Sequence, residues 1–429
     1  MLDPAHQARI ERRAKARSAT RRRRLLAAAV LAAAAVVVLI LAGSGGSKRA
    51  RTTPTATSSR TPVRAHPAAA VLPGGPLAPA AFGGLAALWA PQNVVAPQPG
   101  TQAAYAAASD LPGLPGFLLI ADRGNNRILV VTPHGQIVFM FPDAADLAAG
   151  RKLYFNDDTF VTPGGASLIA NEEDNDAIIS VGLADHSLHL LFGHPGQPGS
   201  DSTHLSTPDD AYQLPDGSFT VADAYNCRIL FINNHAIVKA YGHSGDCHHD
   251  PPRALGPVNG DTPLPGGGVL VSEIPGSWID DIGPDGRLVF AFQAPVSYPS
   301  DPQPLPGGRI LLADYSNPGH VLIVDRSGHV LWRYGPSGGY GRLDHPSLSM
   351  ALPNGDIAVN DDYRDRVVVI DPRQDRIVWQ YGHTDQPGTA PGYLNTPDGM
   401  DFIPAVPAFS DYVASFPDGV PDWPAVIHP

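Results

Sequence analysis

Four aspartates stand at near-matched distances from a following proline. Asp158, Asp210 and Asp301 lie five residues before theirs, and Asp261 lies four before. Asp398 occupies a similar context near the C-terminal end of the chain. Carboxylates packed together either raise one another's pKa or take up a cation, and an all-oxygen donor set suits calcium. Taken singly, each would instead cap the backbone of its own turn.

Two further constellations could do chemistry. Asp122/Arg127, Asp223/Arg228 and Asp361/Arg366 are each five residues apart across a short polar loop, a spacing that lets a guanidinium brace a carboxylate. His194, His243 and His383 each follow an aromatic-Gly step, and His248-His249-Asp250 forms a further cluster. Three imidazoles would suit Zn2+. No His-x-His or His-Glu spacing supports their convergence, so solvated loops are the plainer reading. No Gly-x-Ser-x-Gly elbow and no phosphate-cradling glycine loop occurs, which leaves hydrolase and kinase chemistry without support.

Positioning these groups requires a repeated frame, and the chain has one. Between residues 114 and 381 one unit recurs six times: Leu-Pro-x-Gly or similar, an alternating strand, an acidic or amide marker, a polar loop, and two more strands. The markers are Asp122, Asn171, Asp223, Glu273, Asp314 and Asp361. A spacing of about 40–50 residues with only strands inside it marks propeller blades. A fourth strand precedes each Leu-Pro turn: residues 158–161, 210–213, 259–263, 301–303 and 347–351. The first unit lacks one, and residues 394–403 resemble such a strand without a blade after them. Supplying that strand to the first unit closes the ring and removes an exposed edge. The predicted fold is therefore all-β, a six-bladed β-propeller of four-stranded blades over residues 113–404, closed by a C-terminal strand. Seven blades, drawing on residues 411–415, is the alternative.

With alternating strand direction, the Leu-Pro-x-Gly turns share one face. The starts of the inner strands, the Asp-x-x-Asn loops and the blade-to-blade crossings share the other. Functional groups concentrate on such loops. Asp158, Asp210, Asp261 and Asp301 would then ring the channel mouth on the loop-rich face, where Ca2+ or Zn2+ is the candidate cofactor.

Residues 25–42 form an unbroken apolar run, near the lower limit for a helix crossing a hydrocarbon core of about 30 Å. Arg21 to Arg24 abut it, so the positive-inside rule leaves residues 1–24 cytoplasmic and the propeller outside. The expectation is a single-pass anchor in the cell membrane; the alternative is a cleaved export signal. Residues 43–112, rich in Ala, Pro, Ser and Thr, read as a tether, and the Pro-rich residues 405–429 as a tail. The first 64 residues hold 14 of the 30 Lys and Arg but only 2 of the 41 acids. The strongly acidic remainder argues against nucleic acid as a partner.

Cys227 and Cys247 are the two cysteines, and an exported domain permits a bond between them. Neighbouring strands would bring their Cα atoms within bridging range, so a disulfide is expected. The alternative is a metal site with His248 and His249.

At Ile120-Ala-Asp122-Arg-Gly-Asn125-Asn-Arg127-Ile128 the chain resembles the NHL repeat family, whose core reads V-x-D-x-x-N-x-R-I. The pattern returns at Val221–Ile229 as Val-Ala-Asp-Ala-Tyr-Asn-Cys-Arg-Ile, and at residues 359–367 with Asp361 and Arg366. The units at Asn171 and Glu273 depart from it. A weaker similarity to quinoprotein-like and arylsulfotransferase-like propellers runs through Gly328-x-Val-Leu-Trp332. Both resemblances imply a propeller, and both families mix binding with catalysis, so neither assigns chemistry. The resulting expectation is an extracytoplasmic module binding a cell-envelope or extracellular ligand or protein. The alternative is an exported lyase- or lactonase-type enzyme with a metal in its channel.

Overall fold

The structure is a computed structural model that describes residues 114–404, apart from 164, 265 and 353. The expected cytoplasmic tail, membrane span, tether and C-terminal tail lie outside the described residues. Among the described residues no helix is long and apolar enough to cross a membrane.

Six antiparallel sheets of four strands each make a six-bladed propeller. Alternation of apolar residues sets the outer strands: Ala236–Gly242 exposes every other side chain. Inner strands such as Asn156–Val161 and Pro346–Ala351 are buried throughout. The core therefore lies between blades. One apolar cluster joins blades one, two, three and six, and others fill the interfaces between blades one and two, three and four, four and five, and five and six.

Closure runs through Met400–Pro404, which pairs with the first blade's Gly116–Asp122 so that Leu118 faces Phe402 and Ile120 faces Met400. Trp379 of blade six adds a bond across the seam, its Nε1 donating to Pro133 O at 2.8 Å. Two details differ from expectation. Blade three's innermost strand is only Pro208–Asp210, followed by an isolated Gln213–Phe219 bridge, with Tyr212 O still accepting from Thr220 N at 2.8 Å between them. A one-turn helix, Ala144–Ala148, sits in the crossing from blade one to blade two, held by a capping box between Asp143 and Asp146. It is too short to leave a helical period in the sequence.

Candidate functional site

Each innermost strand of blades two to six slips register against its neighbour near its start. The breaks fall between Asn156 and Thr159, Pro208 and Asp210, Val258 and Asp261, Ser300 and Gln303, and Pro346 and Ser349. A bulge bends a strand locally and re-aims the side chains inside it. Those irregular stretches carry Asp157, Asp158, Asp209, Asn259 and Asp301, so the backbone defect is what gathers polar side chains here.

The gathered groups form a belt from blade to blade. Arg123 Nη1 meets Asp157 Oδ1 at 2.8 Å and also binds Asp398, while its Nη2 binds Glu173. Asn259 donates to Asp209 and accepts from Ser300 Oγ at 2.8 Å. Asp261 N lies 3.4 Å from Asp210 Oδ2. Two glycines permit the approach. A Cβ on Gly260 would sit 2.7 Å from Asp301 Oδ1, and one on Gly399 would sit 2.4 Å from Asp158 Cα.

Asp158, Asp210, Asp261 and Asp301 are all buried. Burial first, then neighbouring carboxylates, holds all four well above the ordinary carboxylate range. After burial, the largest influence on Asp158 is the charge of Asp301, then that of Asp210. Blades two and five are opposite in a six-membered ring, so the two acids act on each other across the axis. Tyr212 adjoins them: its ring stacks on Phe160 at 4.1 Å and its hydroxyl lies 3.5 Å from Gln303 Nε2. Burial, then Asp210, Asp301 and Asp158, raises its pKa.

The Asp–Arg pairs have a different role. Arg127, Arg228 and Arg366 each place Nε 2.6–2.7 Å from Asp122, Asp223 and Asp361. The other oxygen of each aspartate accepts a backbone N–H two or more residues ahead of an innermost strand: Asn395, Ser206 and Asp344. Every blade repeats this second bond, through Glu172 to Tyr154, Glu273 to Gly256 and Asp314 to Ser297. It is a latch between the blade's own loop and its incoming strand. In the paired blades burial outweighs the guanidinium and pushes Asp223 and Asp361 up to about 6. The blade-two marker is thus Glu172 rather than Asn171; Asn171 Nδ2 instead binds Pro208 O of blade three.

A second latch explains the cysteines. Asn126, Asp176 and Asp365, each left-handed at the end of the polar loop, accept from Phe155, Thr207 and Thr396 N of the next crossing. Cys227 occupies the same left-handed position in blade three. It is disulfide-bonded to Cys247 in the crossing to blade four, with Cα atoms 5.4 Å apart.

The expected histidines are engaged separately. His194 stacks on His204, His383 stacks on Tyr393, and His243 pairs with Asp246. His248 also pairs with Asp246. Arg123, Asp157, Glu173 and Asp209 at the mouth escaped sequence reading; the doublets Asp157-Asp158 and Asp209-Asp210 were the available signal. Tyr154, Phe155, Tyr225 and Tyr363, exposed aromatics, lie on the crossings and polar loops of this same face.

No family model matches the chain, and no curated protein matches it. Among solved structures it is similar to a protein of unknown function from Bacteroides caccae, with 18% identity and a TM-score of 0.47 over 67% of this chain and 98% of that one. It is also similar to virginiamycin B lyase from Staphylococcus aureus, at 16% identity and 0.37 over 53% and 69%. A third likeness is to a chain of a nidogen/laminin complex, at 11% identity and 0.46 over 66% and 97%. The blade assignment rests on this chain's own strand pairing.

Proposed function

We propose that the protein is a membrane-anchored, extracytoplasmic recognition propeller, and that it binds a cell-envelope or extracellular ligand on its loop-rich face around a cation held at the channel mouth. The observation that carries this reading is the excess of buried carboxylate there. Asp158, Asp210, Asp261 and Asp301 are buried and raise one another's pKa, and Asp157, Glu173 and Asp209 cluster beside them, while Arg123 is engaged by Asp157, Glu173 and Asp398. Burying several carboxylates without countercharge is costly, and a hard cation with oxygen ligands relieves that cost. Calcium is the fitting class. The exposed aromatics around the mouth suit stacking on a ligand's apolar or cationic parts. The repeated Asp-x-x-Asn-x-Arg latch supports grouping the blades with NHL-type repeats, and residues 25–42 serve as the anchor.

Calcium titration of the full-length chain in detergent tests the reading. One site in wild type, weakened at least tenfold by Asp158→Asn with Asp301→Asn, supports it. Absence of calcium binding in a folded sample removes its basis, and turnover of a substrate abolished by the same pair would move the protein to the enzyme class.

A further inference from the structure

We infer that His249, Glu273 and Asp280 form a binding site for a divalent transition-metal ion, zinc in class, at the interface of blades three and four. The inference is independent of the channel mouth.

Blade four alone places a carboxylate where the fold asks for an apolar side chain. Asp280 stands two residues after Trp278, which pairs with Glu273 in the ladder. The matching positions in the other blades, two residues after the partner of each marker, are Leu129, Ile179, Leu230, Leu322 and Val368, all buried. Packing therefore does not explain Asp280, which is itself fully buried. Among the described residues no N–H group hydrogen-bonds either of its oxygens; its side-chain partner is the Glu273 carboxyl, which is also buried. Two buried carboxyls that meet each other are costly unless something positively charged joins them.

What meets Asp280 is built for a metal. Glu273 and Asp280 are diagonal neighbours on the blade face that continues through Val271, Val269 and Ile282 into the packing against blade three. His249 comes from the crossing between those blades. Its Nδ1 lies 3.0 Å from Glu273 Oε1 and 3.9 Å from Asp280 Oδ2. Donors about 2.1 Å from a tetrahedral centre stand about 3.4 Å apart, so this spread brackets what zinc needs. One imidazole with two carboxylates selects zinc-like ions over calcium.

The supporting groups orient the ligands. Glu273 Oε2 accepts from Gly256 N at 2.7 Å, which leaves Oε1 for the ion. His249 stacks on the Trp278 indole at 3.8 Å and 4°, and Trp278 holds the ladder position that Arg occupies in blades one, three and six. The cation that would fill the site elsewhere is thus missing by substitution. The Cys227–Cys247 bond fixes the crossing two residues before His249. By contrast Asp143, Asp146 and His186 also cluster, but Arg151 and the helix cap use the Asp146 oxygens.

The full-length chain, stripped with chelator, loaded with Zn2+ and desalted, should retain one equivalent more than His249→Ala or Asp280→Asn retains by elemental analysis. Affinity in each variant should fall at least tenfold, while Asp158→Asn keeps the ion. Should a variant not fold, wild type still decides by histidine modification with diethyl pyrocarbonate and mass spectrometry. Zinc should protect His249 and leave the exposed His248 reactive. Equal zinc retention by His249→Ala, no retained zinc in wild type, or equal modification of His249 with and without zinc overturns the proposal.

Discussion

Blades three and four are neighbours built on the same ladder, yet they resolve one electrostatic problem in opposite ways. Both end their second strand in a carboxylate that accepts the N–H of an incoming strand, Asp223 from Ser206 and Glu273 from Gly256. In blade three the remaining oxygen is committed to Arg228 and Asn226. In blade four it faces His249, with Asp280 beside it and no guanidinium. Burial, with Glu273 adjacent, pushes Asp280 up to about 9. The fold therefore requires one oxygen of the marker carboxylate; the other goes to Asn175 in blade two and His320 in blade five, and in blade four it is left to His249.

The harshest way to break this comparison is to remove a committed guanidinium. Arg366 is fully buried and bonds Asp361, Gln380 and the carbonyls of Tyr340 and Arg342. Arg366→Met leaves buried Asp361 without its guanidinium and with the Asp344 N–H on its other oxygen, and breaking a buried pair costs about 3–5 kcal/mol. Urea unfolding at neutral pH should show that loss. A loss below about 1 kcal/mol would mean the latch oxygen alone carries the blade.

Next in size is the covalent link between the two blades. The disulfide closes a 20-residue separation and replaces a hydrogen-bonded latch seen at Asn126, Asp176 and Asp365. Chain-entropy arguments put its contribution near about 3 kcal/mol. Cys227→Ser with Cys247→Ser should lose that amount and should also loosen zinc at His249, since the crossing is no longer pinned. Unchanged zinc affinity would show that Leu255 packing suffices to hold the crossing.

The frame was legible in the sequence because its rules are local. The Leu-Pro-x-Gly turns, the period of the markers, the spare strand at residues 394–403 and the five-residue Asp–Arg spacing each sit within one unit. What stayed hidden is non-local or differs by one residue. Asn171 and Glu172 are adjacent, and a one-residue shift moves a side chain to the other face of the strand, so composition alone could not choose between them. Arg123 finds Asp398 275 residues away. Trp278-Ile-Asp-Asp-Ile282 carries two acids in succession, and alternation does not say which one turns inward. His249 reads as a loop histidine until the crossing folds back on blade four.

A smaller effect tests whether backbone donors can stand in for a cation. Asp401, buried in the closing strand, accepts from Val161 and Phe402 N and has no guanidinium. Burial still pushes it up to about 7. Its folded pKa thus exceeds the ordinary value, so the folded chain binds more protons between about pH 4 and 7, and this group's contribution falls as pH rises through that window. Asp401→Asn keeps an acceptor and removes the titration. Relative to wild type it should gain about 2.5 kcal/mol on going from pH 5 to pH 8, the two pKa units that separate pH 5 from a folded value of about 7. Parallel urea midpoints would show two donated N–H groups compensating the charge fully.

The smallest expected change in stability comes from converting one blade into the other. Glu273 and Trp278 are five residues apart and paired in register, as Asp223 and Arg228 are. Glu273→Asp with Trp278→Arg recreates the blade-three brace in blade four. The new ion pair and the lost indole stacking should offset each other to within about 1 kcal/mol, because the attraction within a buried pair is largely cancelled by desolvating it. Zinc retention should nevertheless disappear, since the guanidinium takes the oxygen that the ion needs and His249 loses its stacking partner. A double variant that folds and still holds zinc would show that the ligand set does not depend on the missing arginine. The contrast between the blades would then describe packing alone.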